Sequence, residues 1–172
     1  MPAFYPKSAR ADKVAGNRER APWVLDACDD GRVEETAPRS ITLVRESEGV
    51  YVATNFKGGT IRFGHGVEDG FGAVELLLAA LAGCSATDVD VVTSRRSEPT
   101  VFEVKVTADK VTGDNGNLLK NVVAAFDVQF PEGEDGDKAR ARVEPALRAA
   151  HDKTCTVSRT IEHAVPVTLT LV

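Results

Sequence analysis

Two cysteines in separate motifs are the residues of this chain best suited to chemistry. Cys84 follows an apolar run in AVELLLAALAGCSATDVDVVTSRR, residues 73–96, and Cys155 lies in KTCTVS. A thiolate attacks electrophilic oxygen or sulfur, and a second thiol nearby captures the resulting sulfenic acid as a disulfide. Thr154 or Thr156 can cap a short helix that begins beside Cys155, where free backbone N–H groups stabilise a thiolate. The two cysteines are therefore candidates for a two-thiol redox site.

Residue types alone leave three interpretations of this cysteine pair open. Buried cysteines are commonly core residues without chemistry. A metal site could add His65 and His151 as ligands, although no close ligand pair has the spacing of a zinc finger. Redox chemistry needs a cation beside the thiolate, and Arg62, Lys153 and Arg159 are available for that role.

The composition restricts the class of protein and of partner. A chain of 172 residues with 42% hydrophobic composition can form a substantial core. The net charge of -5, without blocks of like charge, argues against nucleic-acid binding. The chain has three cysteines, no CxxC pair and no apolar segment after its basic first residues. These features predict a cytoplasmic protein, in which Cys28 is a bystander.

The hydrophobic pattern predicts an α+β protein. Residues 1–39 lack periodicity and are expected to form an arm, whereas residues 40–63 alternate as a three-stranded antiparallel meander. Residues 102–108 and 122–130 alternate on either side of a strong turn signal and predict a hairpin. A final strand is predicted at residues 165–171.

Two helices are predicted between and after these strands. Residues 73–96 read as a core helix covered on all sides, and the apolar run that begins it is too short to span a membrane. Glu75 lies in the first turn, where the helix dipole favours a negative charge. Residues 138–151 read as a second helix. Pro145 removes a backbone donor there, so a kink or a fresh start is expected at that position.

Two segments resemble a known family. ELLLAALAGCSATDV, residues 75–89, and HDKTCTVSRTIE, residues 151–162, resemble the cysteine motifs of the OsmC and organic hydroperoxide resistance family. The resemblance covers residues 40–172 and implies an OsmC-like domain there, preceded by the arm at residues 1–39. It implies an α+β fold with two antiparallel sheets around a buried central helix. It also implies an intertwined homodimer with active sites at the subunit interface.

The same resemblance implies a thiol-dependent peroxidase that reduces organic hydroperoxides in oxidative-stress defence. Cys84 would attack the peroxide, Cys155 would resolve the sulfenic acid, and Arg62 would activate the thiolate. No bound cofactor or metal is expected, nor a nucleic-acid or membrane partner. Electrons would come from an external dithiol of the lipoamide type, carried by a lipoylated protein. The alternative is an OsmC-like dimeric scaffold or small-ligand-binding protein without efficient peroxidase turnover.

The chain departs from the family's pattern at an acidic position. The best-known peroxidase branches place an activating glutamate ten positions before the cysteine, where this chain has Val74. Glu75 is the candidate replacement. Nine helical residues at about 100° each turn Glu75 away from Cys84, and the rise of about 1.5 Å per residue separates them by about 13 Å. They can cooperate only if the helix breaks at Gly83 or if Arg62 bridges them.

Overall fold

The computed structural model describes residues 37–114 and 116–171, which form an α+β fold with two antiparallel sheets and three α-helices. The order is β1 (Ile41–Ser47), β2 (Val50–Asn55), β3 (Thr60–Phe63), α1 (Ala73–Thr93), β4 (Val101–Gly113), β5 (Gly116–Gln129), α2 (Glu134–Ala149), a π-helical segment (Ala150–Thr154) and α3 (Thr156–Glu162). Nearly all of the predicted arm, residues 1–39, and with it Cys28, lies outside the described residues. The domain boundary at residue 40 therefore stays a prediction.

The first sheet is the predicted meander, with strand order β1-β2-β3. The loop that follows β3 folds back over the β1–β2 turn. Gly64 adopts a φ of 129°, and a Cβ at this position would collide with the carbonyl oxygen of Gly49, so only glycine allows this close approach. The loop buries Val50. Because every residue of β1 is exposed, the sheet leaves much of its apolar surface open.

Helix α1 is the helix predicted from the apolar run, and it is unbroken over its 21 residues. The prediction that this run is too short for a membrane was wrong on length: α1, with a mean hydropathy of 1.5, is long and apolar enough to cross one. The core helix of a soluble protein meets the same criterion. Length and composition therefore do not separate the two environments.

One line of side chains on α1 is buried, and the other faces are open. The buried residues are Leu81, Ser85, Val89 and Thr93. Elsewhere on the helix apolar side chains remain accessible, and Val91 is 50% exposed. The prediction of a helix covered on all sides is therefore wrong for the single chain, because its own hairpin and helices cover only part of α1.

The second sheet is the predicted hairpin of β4 and β5, and α1 packs against β4, α2 and α3. Helix α2 begins earlier than predicted, at Glu134, and runs through Pro145 without a fresh start. It then continues into the π-helical segment Ala150–Thr154. Such π-helical turns are rare and are often found at functional sites. Here the segment leads directly into Cys155.

The final strand predicted at residues 165–171 is not formed in the described chain. These residues have no regular secondary structure, and Val167 and Leu169 are 84% and 92% exposed. A strand requires a neighbour that accepts and donates backbone hydrogen bonds. The described residues contain no strand paired with this segment, so the predicted final strand is wrong for the described chain.

Candidate active site

The fold brings the two motif cysteines together. Cys84 lies on α1 and is half-buried, whereas Cys155 lies at the start of α3 and is fully buried. Cys84 packs against a cluster formed by Leu81, Ala150 and Cys155. The two thiols are close enough for each to shift the pKa of the other. Their contact depends on the packing of α3 against α1, which a sequence reading can suggest but cannot establish.

Cys155 is itself the residue that caps α3. Its backbone is extended, and its Sγ accepts a hydrogen bond from the backbone N–H of Ser158 at 3.4 Å. A second hydrogen bond comes from the hydroxyl of Ser85, whose Oγ is 3.3 Å from Cys155 Sγ. The sequence placed Cys155 at a helix start correctly. Its choice of Thr154 or Thr156 as the capping residue was wrong, because the sulfur takes that position.

Thr154 instead links the segment that precedes Cys155 to α1 by a hydrogen bond. Its Oγ1 donates to Asp88 Oδ2 at 2.7 Å. The backbone N–H of Cys155 also donates to the carbonyl of Ala150 at 3.0 Å, which closes the π-helical segment. Asp88 follows Cys84 by one helical turn. The Thr154–Asp88 hydrogen bond therefore holds Cys155 next to the face of α1 that carries Cys84.

The two thiols have unequal acidity. Burial raises the pKa of Cys84, and Cys155 raises it further. The backbone N–H groups of Val157 and Thr156 lower this pKa, but by less than it is raised. Burial also raises the pKa of Cys155, but hydrogen bonds from Ser85, from the Ser158 N–H and from Cys84 outweigh it, so this pKa is lowered. Cys155 is therefore the more acidic thiol of the pair.

Arg62, the predicted activating residue, is engaged elsewhere in the described chain. Its Nε and one terminal nitrogen donate to the two carboxylate oxygens of Glu46 at 2.9 and 3.1 Å. Hydrogen bonding by Arg62 lowers the pKa of Glu46, and hydrogen bonding by Glu46 raises that of Arg62. Both side chains lie on the exposed first sheet. The structure thus does not bring Arg62 to Cys84 within one chain, and its activating role stays a prediction.

Glu75 is likewise apart from the cysteine pair. It lies in the first turn of α1, with its carboxylate beside Gly72. It faces a cavity of about 400 Å³ that Phe71, Leu78 and Val104 also line. Because α1 does not break at Gly83, the separation from Cys84 expected for an unbroken helix holds. A catalytic role for Glu75 stays a prediction.

A second cavity, lined by residues of α1, β5, α2 and α3, has a volume of about 480 Å³. Its apolar wall includes Leu81 and Phe126, and its polar wall includes Ser85 and Ser158, the two residues that donate to the Cys155 sulfur. At its edge the Nδ1 of His151 lies 3.2 Å from the carboxylate of Glu162. His151 therefore pairs with a carboxylate and not with the cysteines. Within residues 37–114 and 116–171, no group of three or more His, Cys, Asp or Glu residues could hold a metal ion.

The family model for OsmC-like proteins matches residues 65–170, which is more than half of the chain. The chain belongs to the OsmC-like protein family. The match includes α1 and α3, and therefore both cysteines of the candidate site. No curated protein matches the sequence of this OsmC-like chain.

Solved structures share the fold of this OsmC-like protein. A hypothetical protein from Aquifex aeolicus is 20% identical, with a TM-score of 0.59 over 76% of this chain and 91% of its own. An OsmC-like protein of unknown function from Vibrio cholerae is 15% identical, with a TM-score of 0.59 over 74% and 95%. An OsmC-like protein from Mycoplasma pneumoniae is 16% identical, with a TM-score of 0.58 over 74% and 89%. At these identities the likeness shows the fold alone.

Sequence reasoning about this OsmC-like chain missed the polar groups around the sulfurs. Ser85 and Ser158 read as ordinary helix residues, and the only signal was that each lies within three positions of a motif cysteine. The sequence also contained no sign that Glu46 would pair with Arg62. Glu46 lies on β1 and Arg62 on β3, and these two strands flank β2.

The unequal thiol acidity can be checked by titration in a Cys28→Ser background, which leaves only the two site cysteines. Thiolate absorbance should rise in two steps, one below and one above the ordinary thiol pKa, and these steps belong to the pair. In Cys84→Ala the pKa of Cys155 is expected to rise from its position in the pair, because a donor to its sulfur is lost. In Cys155→Ala the pKa of Cys84 is expected to fall. Single variants that titrate at the wild-type steps would contradict the coupling.

Proposed function

We propose that this OsmC-like protein is a thiol-dependent peroxidase that reduces organic hydroperoxides through Cys84 and Cys155. One observation carries the proposal: Cys84 packs against the cluster that contains Cys155, and Cys84 is partly accessible whereas Cys155 is buried beside two hydrogen-bond donors. Adjacent thiols of unequal acidity suit an oxidation that ends in a disulfide. The protein would act in oxidative-stress defence in the cytoplasm.

In the proposed reaction, Cys84 Sγ attacks the distal oxygen of the hydroperoxide, because it is the more accessible sulfur. Its proton moves to the neighbouring Cys155 sulfur, present as the thiolate, as the S–O bond forms. The O–O bond breaks, and the alkoxide leaves as the alcohol after taking up a proton. The Cys155 sulfur then attacks the Cys84 sulfenic acid, which forms the disulfide and releases water. An external dithiol of the lipoamide type, for example on a lipoylated protein, restores both thiols.

We further propose that the active protein is a homodimer. Apolar side chains are exposed on α1 and on strand β1 in the single chain. Together they form more apolar surface than a soluble monomer usually leaves uncovered. The exposed segment at residues 165–171 adds to it. A second copy of the chain would cover these surfaces. If Arg62 and Glu75 act on the cysteine pair, the second subunit is the source to test, since neither contacts the pair in one chain.

The test of the peroxidase proposal is thiol counting after one equivalent of cumene hydroperoxide, in the Cys28→Ser background. We expect the loss of two thiols per chain, with Cys84 and Cys155 linked in the peptide map. Cys155→Ser should instead lose one thiol and accumulate a sulfenic acid that a dimedone-type probe traps. Wild-type protein that keeps both thiols would overturn the proposal.

One observation favours the alternative function of an OsmC-like scaffold or small-ligand-binding protein. Burial and Cys155 raise the pKa of Cys84, and within residues 37–114 and 116–171 no cation lowers it. A thiol of raised pKa is a poor nucleophile at neutral pH. Under this alternative the cavity of about 480 Å³ would hold a ligand, and the thiol count would stay unchanged by a hydroperoxide.

A further inference from the structure

The hydroxyl of Ser85 behaves differently from other hydroxyls on α1. Thr87 and Thr93 donate to the carbonyl oxygens four residues before them, Gly83 at 2.8 Å and Val89 at 3.0 Å. That is the ordinary arrangement of a hydroxyl inside a helix. Ser85 is as buried as the helix core, yet its hydroxyl donates away from its own helix to a sulfur.

That sulfur belongs to Cys155, which is excluded from solvent and receives two hydrogen bonds. Cys155 is 0% exposed, and both Ser85 Oγ–H and Ser158 N–H point to its Sγ. Hydrogen bonds to a charged partner are stronger than those to a neutral one. Two donors around one buried sulfur therefore favour its anionic form over its neutral form.

Access to a disulfide between the two cysteines would be one-sided. Cys84 is partly exposed, whereas Cys155 is enclosed by α1 and α3. In thiol–disulfide exchange the attacking thiolate bonds to one sulfur, and the other leaves with the electron pair of the broken bond. An external thiolate can reach Cys84, so Cys155 would be the leaving sulfur.

We propose that Ser85 is a catalytic residue in the reduction of the Cys84–Cys155 disulfide, where its hydroxyl stabilises the departing Cys155 thiolate. The first thiolate of an external dithiol attacks Cys84 Sγ, the S–S bond breaks, and its electron pair goes to Cys155 Sγ beside the Ser85 hydroxyl and the Ser158 N–H. The second thiol of the dithiol then attacks the mixed disulfide and releases Cys84. The dithiol becomes a cyclic disulfide, and both protein thiols are restored with its two protons. This role rests on the proposed function for its disulfide.

The lowered pKa of Cys155 agrees with this role, because a more acidic thiol leaves a disulfide faster. Ser85 is among the groups that lower it. Loss of the Ser85 hydroxyl should therefore make Cys155 a poorer leaving group and shift the pH dependence of disulfide reduction. A residue that only supported the packing of α1 would not shift that dependence.

The test uses full-length protein in the Cys28→Ser background, oxidised by diamide and not by a hydroperoxide. Reduction of the disulfide by dihydrolipoamide is followed for wild type, Ser85→Ala and Thr87→Ala. We expect Ser85→Ala to be about three- to tenfold slower, from the loss of one donor to the leaving thiolate. Ser85→Thr, which keeps the hydroxyl, should restore most of the rate. Thr87→Ala removes a hydroxyl that only bonds within α1, and it should match wild type.

A second measurement needs no variant of Ser85 and so does not depend on how Ser85→Ala folds. Wild-type disulfide is treated with a monothiol, the reaction is quenched by alkylation, and the adduct is located by mass spectrometry. The adduct is expected on Cys84. An adduct on Cys155, equal rates for Ser85→Ala and Thr87→Ala, or no disulfide with diamide would each overturn the inference. If Ser85→Ala slows disulfide reduction but the wild-type thiols do not react with hydroperoxides, the proposed function is wrong and this inference stands.

Discussion

Replacement of Cys84 by serine is expected to lower the turnover of cumene hydroperoxide with dihydrolipoamide by on the order of 10²-fold or more. The serine hydroxyl is not ionised at neutral pH and forms no sulfenic acid, so the first step loses its nucleophile. The accessible sulfur of the pair is removed, and the buried Cys155 cannot reach a bulky hydroperoxide in its place. Turnover is measured as the loss of hydroperoxide under excess dithiol.

Two further variants make this result specific. Cys28→Ser, which removes the third thiol, is expected to keep wild-type turnover. Cys155→Ser should keep the first oxidation of Cys84 but lose the intramolecular disulfide, so that turnover depends on direct attack of the reductant on the sulfenic acid. Equal turnover for wild type and Cys84→Ser would remove Cys84 from the chemistry and leave the scaffold alternative.

Introduction of a carboxylate on the open side of α1 should dissociate the proposed homodimer. Val91 is half-exposed in the single chain, so Val91→Asp is expected to cost the chain's own fold little. If a second copy covers this face, the same carboxylate becomes buried without a partner, which is strongly unfavourable. We expect the dimer to weaken on the order of 10²-fold or more, as measured by sedimentation velocity across a concentration series.

Leu118→Asp is the matched control for Val91→Asp. Leu118 lies near the turn of the β4–β5 hairpin and is also a partly exposed apolar residue. Its replacement adds the same charge away from α1 and should leave the oligomeric state unchanged. If wild type is a monomer, or if Val91→Asp remains a dimer as tight as wild type, the pairing of chains through α1 is wrong. Turnover that falls with the dimer would support a contribution of the second subunit to the site.

Local sequence patterns predicted most of the elements around the site. The three-stranded meander, α1, the β4–β5 hairpin and the helix start beside Cys155 all follow from periodicity or from turn residues close together in the chain. One error occurred where a neighbour distant in sequence decides whether a strand forms. Residues 165–171 alternate as a strand does, yet the described residues contain no strand paired with them. Pro145 remains inside α2, where the prediction allowed a fresh start.

The sequence by itself determined which residues could carry redox chemistry, because a thiol in each of two motifs is a matter of residue type and order. Only the tertiary structure decided how acidic and how accessible each of those thiols is. Ser85 and Cys155 are 70 positions apart, and their hydrogen bond exists because α3 packs on α1. The same packing buries Cys155 and leaves Cys84 accessible, while Arg62 pairs with Glu46 on the first sheet. Acidity and access depend on the groups that surround a sulfur in space, and local periodicity carries no information about those groups.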